Sequence, residues 1–182
     1  MSQSLGADCG ISAITAKQWL TVLETSYVVA LLRPHHNNYG KRLVKTPKLY
    51  FLDSGLAAWL LGIRDAQTLE THAARGALFE TWVASELYKQ FFNAGQTPSL
   101  YFWRDGSGNE IDLLYETAQG LRPIEIKSGS TYSKDWAAGL RKWQSLAKAE
   151  SLRPAIVYGG EVSFEREDLK VWGWKDVAQS VA

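Results

Sequence analysis

Apolar and polar positions divide the 182-residue chain into two series of elements. In the first third, Ala13, Ala16, Leu20 and Leu23 recur at helical spacing while Lys17, Gln18 and Thr21 face elsewhere. That spacing predicts a helix from about Ala13 to Thr25, with Ser12 as its N-cap. Tyr27 to Leu32 is an apolar run of strand length, Pro34 to Gly40 is turn-rich, and Lys48 to Leu52 reads as a return strand. Asp53 or Ser54 caps a short helix holding Leu56, Trp59 and Leu60, closed by Gly62. Arg64 to Thr71 is polar and lacks apolar periodicity, which places a boundary between domains at 1–66 and 70–182. Leu5 to Ser12 reads as the end of one helix, a turn and the cap of the next, so the first domain is expected to be truncated at its start.

The second series opens with a long helix, about Ala73 to Asn93, whose apolar face carries Phe79, Val83, Ala84, Leu87 and Phe91. Strands follow at Leu100–Arg104, Glu110–Glu116 and Arg122–Lys127, the first two separated by the tight turn 105–109. A helix from Ser133 or Asp135 to about Glu150 shows Trp136, Leu140, Trp143 and Ala147 as its stripe. Arg153–Tyr158 is a strand, Gly159-Gly160 a turn, Val162–Phe164 and Leu169–Trp172 weaker strands, and Trp174–Val181 a short terminal helix. The order α-β-β-β-α-β predicts an α/β fold, a mixed sheet with a helix on each face.

Candidate chemistry concentrates in two of these strands. Residues two apart in a strand share a face, so Glu125 and Lys127 point one way while Ile124 and Ile126 point the other. Asp112 lies between Ile111 and Leu113, which suggests the same alternation in its strand. If the two strands pair as a hairpin, an Asp, a Glu and a Lys converge, a set able to hold a divalent metal and assist attack by water. The bland alternative is a surface salt bridge. Glu80 falls in the middle of the apolar face of the long helix, where a carboxylate is costly unless paired, protonated or bound to a cation. A salt bridge to an interior Lys or Arg is its structural alternative.

The basic residues Lys41, Arg42, Lys45 and Lys48 flank the return strand. Helix, turn, helix and a basic two-stranded wing are the plan of a winged-helix domain, which can set its second helix in a DNA groove and its wing on phosphates. The competing reading is that this small unit docks on the neighbouring domain and its basic wing is a solvated edge, since edge strands often carry Lys. The adjacent His35 and His36 read as an exposed turn rather than a metal site.

Composition changes this picture little. Net charge is +1, so any attraction to nucleic acid must be local. A single cysteine excludes an internal disulfide and a cysteine-rich zinc site and points to a reducing, cytoplasmic compartment. No apolar run reaches the roughly 18 residues of a membrane span.

Glu80 in the first core helix, Asp112 in the second strand and Glu125-x-Lys127 in the third resemble the PD-(D/E)XK nuclease superfamily, which includes restriction endonucleases and Holliday junction resolvases. The blocks NEIDLL…PIEIKSG, GALFETWVASEL and LVKTPKLYFLDSGLAAWLLG are similar to the carboxy-terminal region of a prokaryotic family of AAA-type ATPases. There an ATPase module precedes a winged-helix segment and a nuclease-like domain of unknown function. This sequence has no GxxxxGK[ST] phosphate loop. The resemblance implies a restriction-endonuclease-like fold and metal-dependent hydrolysis of DNA. In that reading Asp112 and Glu125 hold Mg²⁺ or Mn²⁺, with the Ile126 carbonyl as a third ligand, and Glu80 binds the metal or supports a ligand. Lys127 orients or activates the attacking water and stabilises charge on the phosphate, and Ser128 contacts phosphate. Gln144 occupies the second core helix, where some relatives place a polar residue, but the Gln-xxx-Tyr pattern of exonuclease-like relatives is broken by Lys148. Glu110-Ile111-Asp112 replaces the proline–aspartate pair. The expected partners are DNA and the ATPase module, with no membrane and a homo-oligomer left open. The alternatives are a catalytically inactive DNA-binding or assembly module, and a partner-binding domain that touches no nucleic acid.

Overall fold

The computed structural model describes residues 2–35 and 45–181. Two short N-terminal helices, α1 (Ser2–Asp8) and α2 (Ala13–Thr25), pack together, and the Ser12 side chain caps α2 by accepting from the Thr15 amide. Strands β1 (Val29–Pro34) and β2 (Lys48–Phe51) pair antiparallel, and α3 (Ser54–Leu60) follows with Asp53 as its N-cap. The polar stretch read as a boundary contains a short helix, α4 (Ala66–Thr71), capped by Asp65 and burying no residue. It is too short and too polar to show an apolar stripe in the sequence.

The long helix α5 (Arg75–Asn93) precedes β3 (Leu100–Arg104), β4 (Glu110–Thr117) and β5 (Gly120–Lys127). A 3₁₀ turn (Lys134–Ala137) leads into α6 (Ala138–Ala147), then come β6 (Ala155–Tyr158), β7 (Phe164–Arg166), β8 (Leu169–Gly173) and a 3₁₀ segment, Trp174–Val181. Among the described residues, one mixed sheet of eight strands has the order β2-β1-β3-β4-β5-β6-β8-β7. Its centre, β3-β4-β5, is antiparallel, and β5, β6 and β8 run parallel.

Each face is covered by one core helix. Val83, Ala84, Leu87 and Phe91 of α5 pack with Leu32, Phe102, Leu113, Ile124 and Val157. Leu140, Trp143 and Ala147 of α6 pack with Trp103, Ile111, Leu114, Ile156 and Val171. The fold is thus α/β, a large mixed sheet flanked by helices, as the order of elements predicts.

The first-third hairpin docks on the second series of elements, as the alternative to a DNA-contacting wing has it. β1 lies parallel to β3, with Arg33 opposite Tyr101 and Pro34 opposite Phe102, so β1 and β2 extend the main sheet. The physical signal is in β1 itself: Val29, Ala30 and Leu32 are all buried, which is the pattern of a strand covered on both faces. His35 continues this pairing, its amide donating to the Phe102 carbonyl at 2.7 Å. It is 8% exposed rather than set in an open turn, and its ring meets Tyr101 edge-on. His36, Lys41 and Arg42 lie outside the described residues.

Candidate functional site

The site forms where β4 and β5 part. Their pairing runs from Thr117–Gly120 to Leu113–Ile124 and stops there. Beyond it, Glu125, Ile126 and Lys127 pair only with β6, opposite Ile156, Val157 and Tyr158. The Ile126 amide, left without a strand partner on the β4 side, donates instead to Oδ2 of Asp112 at 2.8 Å. This bond satisfies a backbone donor and fixes the carboxylate in the gap.

Asp112 reaches the gap through a bulge. Tyr101 faces Leu114 and Trp103 faces Ile111, so the single residue Phe102 stands opposite both Asp112 and Leu113. The simple alternation expected around Asp112 is therefore interrupted, as a β-bulge re-aims one side chain. On β5 the alternation holds: Ile124 and Ile126 enter the core under α5, and Glu125 and Lys127 form an ion pair at 2.6 Å.

Lys48 ties these strands to α5. Its ammonium lies 2.8 Å from Oε1 of Glu80, 2.5 Å from Oε1 of Glu110 and 3.7 Å from Oδ1 of Asp112. From β2 its ammonium stands over the Phe102 ring, Nζ 5.6 Å from the centroid. The Tyr50 hydroxyl, from the same strand, donates to the same Glu80 oxygen. Burial, then the Glu80 charge, raise the Tyr50 phenol far above its usual range, so it stays a donor. Arg104 closes the other side by a double hydrogen bond to Oε2 of Glu110. Among the described residues, four carboxylates, those of Glu80, Glu110, Asp112 and Glu125, meet three cations, Lys48, Lys127 and Arg104, leaving one negative charge in excess when all are ionised.

That excess falls on the two carboxylates nearest the gap. Burial pushes Asp112 up to about 7, reinforced by the charges of Glu125 and Glu80 and only partly offset by Lys48 and the Ile126 amide. Burial also raises Glu125, against the pull of Lys127. Burial draws the Lys127 ammonium down, but the hydrogen bond and charge of Glu125 outweigh it. The Lys127 ammonium is therefore held above the usual lysine range.

Among the described residues, no three Asp, Glu, His or Cys side chains form a ready ligand cage. Glu80 is held by Lys48 and Tyr50, and Glu110 by Lys48 and Arg104. The pair left under charge strain is Asp112 and Glu125. Two carboxylates fit Mg²⁺, which keeps several waters and is held by one or two carboxylates together with substrate phosphates.

The other expected site residues are placed as follows. Ser128 follows Lys127 directly, and its carbonyl accepts from Arg75 at the start of α5 at 3.1 Å. It lines a cavity of about 440 Å³ with Phe79, Trp82 and Trp174. Gln144 is half-buried on α6, whose packed face lies on the side of the sheet away from α5. Lys45 is exposed, whereas Lys48, expected on a phosphate-binding wing, is turned into the carboxylates.

Lys48, Glu110, Arg104 and Tyr50 joined the site without being singled out for it in the sequence. Gly159 is a further supporting residue. Its amide donates to the Lys127 carbonyl at 3.0 Å, and a Cβ there would stand 2.5 Å from the Ser128 carbonyl oxygen. The only sequence signal for it is the Gly159-Gly160 pair, which reads equally well as a turn.

Fold and site together define an α/β domain with a carboxylate–lysine cluster at the opening of a central hairpin. The chain belongs to the family described as domain of unknown function DUF4143, which matches residues 75–177. A second domain of unknown function, DUF8612, matches residues 2–67. The chain is 35% identical over 168 residues to the uncharacterized protein Rv2008c of Mycobacterium tuberculosis and, equally, to the uncharacterized protein Mb2031c of Mycobacterium bovis. The match covers 92% of this chain and 36% of each relative, so the chain spans little more than a third of their length. Among the described residues, no helix is long and apolar enough to cross a membrane.

Proposed function

We propose that this domain hydrolyses phosphodiester bonds of DNA with the help of Mg²⁺ or Mn²⁺. The observation that carries the reading is the meeting of Asp112 with Glu125 and Lys127 in the gap between β4 and β5. The sequence α5-β3-β4-β5-α6-β6, with a helix on each face, supports a restriction-endonuclease-like fold. Asp112 and Glu125 would hold the ion, which when bound supplies Lewis-acid polarisation of the phosphate and a more acidic water. Lys127, fixed by Glu125, is suited to stabilise developing charge on the phosphate. Glu80 serves by anchoring Lys48 rather than through a free carboxylate.

The test is incubation of the chain with Mg²⁺ or Mn²⁺ and labelled duplex, single-stranded and branched DNA. Cleavage that chelation abolishes is the expected result; intact substrates under every metal would sink the hydrolytic reading. Binding is also expected to depend on pH in a defined sense. Asp112 must be ionised to hold a cation, so affinity falls as pH drops through about 7. Thermal melts should show a larger rise on adding Mg²⁺ at pH 8 than at pH 5.5.

A second reading, an assembly module without chemistry, is favoured by a different observation. Ile14, Trp19 and Val22 on α2, and Trp59 and Leu60 on α3 with Leu61 beside it, are all exposed large apolar residues. Apolar surface of this kind marks interaction sites, and an AAA-type ATPase module is the partner the sequence resemblance proposes for it. Salt-sensitive DNA binding without cleavage, in this chain and in a full-length relative, would favour this reading.

A further inference from the structure

The site draws on both family-matched segments. Glu80, Glu110, Asp112, Glu125 and Lys127 lie within the DUF4143 match, whereas Lys48 and Tyr50 lie within the DUF8612 match. Lys48 is 18% exposed at its side chain and makes its closest contacts with carboxylates of the other segment. Its placement bears directly on Asp112. Oδ2 of Asp112 is taken by the Ile126 amide, and the remaining oxygen, Oδ1, faces the Lys48 ammonium at 3.7 Å. A cation approaching Asp112 through Oδ1 therefore meets Lys48 as a like charge.

We propose that Lys48 is a resident counter-ion of the site, a positioning residue through which segment 2–67 sets the affinity of Asp112 and Glu125 for a divalent cation. The inference rests on the reading of those two carboxylates as metal-holding groups. In the absence of metal, the ammonium balances Glu80 and Glu110 and keeps the opened hairpin together. When a divalent ion binds, Lys48 stays on Glu80 and Glu110 and withdraws from Asp112. Any displacement of β2 relative to α5, whatever causes it, changes how strongly the ammonium opposes the ion. Lys48 thus differs from Lys127, whose partner Glu125 lies on its own strand.

The test uses the whole chain and Mn²⁺ alone, titrated by electron paramagnetic resonance of the free ion. The variants are Lys48→Gln, which retains hydrogen-bond donors without charge, Lys48→Arg, Asp112→Asn, Glu80→Gln, and the charge-balanced double variant Lys48→Gln/Glu80→Gln. Circular dichroism and thermal melting report whether each is folded. Lys48→Gln is expected to bind Mn²⁺ more tightly than the parent by on the order of tenfold, since a positive charge near the ion is removed. Lys48→Arg should stay within about threefold of the parent, and Asp112→Asn should lose the site. Should Lys48→Gln fail to fold, the double variant, in which neither charge is left alone, must show the same gain over Glu80→Gln, since Glu80 itself contributes a negative charge at Asp112. A folded Lys48→Gln that binds Mn²⁺ no more tightly than a parent that does bind, or a folded double variant that binds it no more tightly than Glu80→Gln, overturns the role of Lys48 and leaves the metal reading standing. No binding by the parent or any variant overturns the metal reading and the inference together. A structural role alone would weaken binding on losing Lys48, the opposite of the expected sign.

Discussion

Asp112→Asn is expected to lose metal-dependent cleavage while making the folded chain more resistant to urea. Both effects come from the same carboxylate. It is the group that accepts the Ile126 amide and faces the gap, so its loss as an anion should lower cleavage by at least on the order of 10²-fold. The stability effect follows from linkage. Asp112 sits near 7 in the folded chain, pushed up by burial and by Glu125 and Glu80, whereas an unfolded aspartate titrates near its ordinary value. Between those two values the folded state binds more protons than the unfolded state, so stability falls as pH rises. At pH 8 the native state must carry a buried, crowded anion that asparagine does not have, and asparagine oxygen can still accept the Ile126 amide. A gain of about 1–3 kcal/mol at pH 8 is expected without metal, smaller at pH 5.5 and vanishing only as pH approaches the ordinary aspartate value. Urea melts at pH 5.5 and pH 8 check the sign. Equal gains at both, or a loss at pH 8, would show that Asp112 is not under charge strain.

Phe102→Ala should have the largest effect on stability. Phe102 is 1% exposed, packs in the core beneath α5 and is the one residue that faces both members of the Asp112–Leu113 bulge. Truncating a buried Phe costs about 3–5 kcal/mol, a large share of the stability of a typical domain. Here the ring also lies beneath the Lys48 ammonium, so the loss removes the floor of the site together with core volume. Phe92, 38% exposed at the end of α5, is the matched control. Phe92→Ala should shift the urea midpoint far less. Similar midpoints for the two variants would mean that the bulge and the α5 face do not depend on Phe102.

The sequence makes parts of this arrangement readable for definite reasons. Strict alternation marks β5, so the shared face of Glu125 and Lys127 can be inferred without coordinates. Glu80 is conspicuous because a carboxylate interrupts an apolar helical stripe, and its structural alternative, a salt bridge to an interior lysine, matches the contact with Lys48. The identity of that lysine was hidden. Lys48 is 32 residues from Glu80 and sits among Lys41, Arg42 and Lys45, a cluster that reads as a basic wing. The bulge was hidden as well, because Ile111-Asp112-Leu113 looks like regular alternation and only the pairing with β3 shows the extra residue. The docking of β1 on β3 was detectable in principle: Val29, Ala30 and Leu32 have no polar alternation, which suits an interior strand better than a wing.

The same docking of β1 on β3 separates covalent continuity from physical continuity. The chain passes from one family-matched segment to the other through α4, a helix with no buried residue. Mechanically, the two segments are joined instead by the β1–β3 pairing and by Lys48 and Tyr50 on Glu80. A single protease nick within Ala66–Thr71 would therefore leave a two-piece protein that stays assembled. The halves could be produced as separate polypeptides and mixed, so that recovery of the cluster becomes a complementation signal for contact between them.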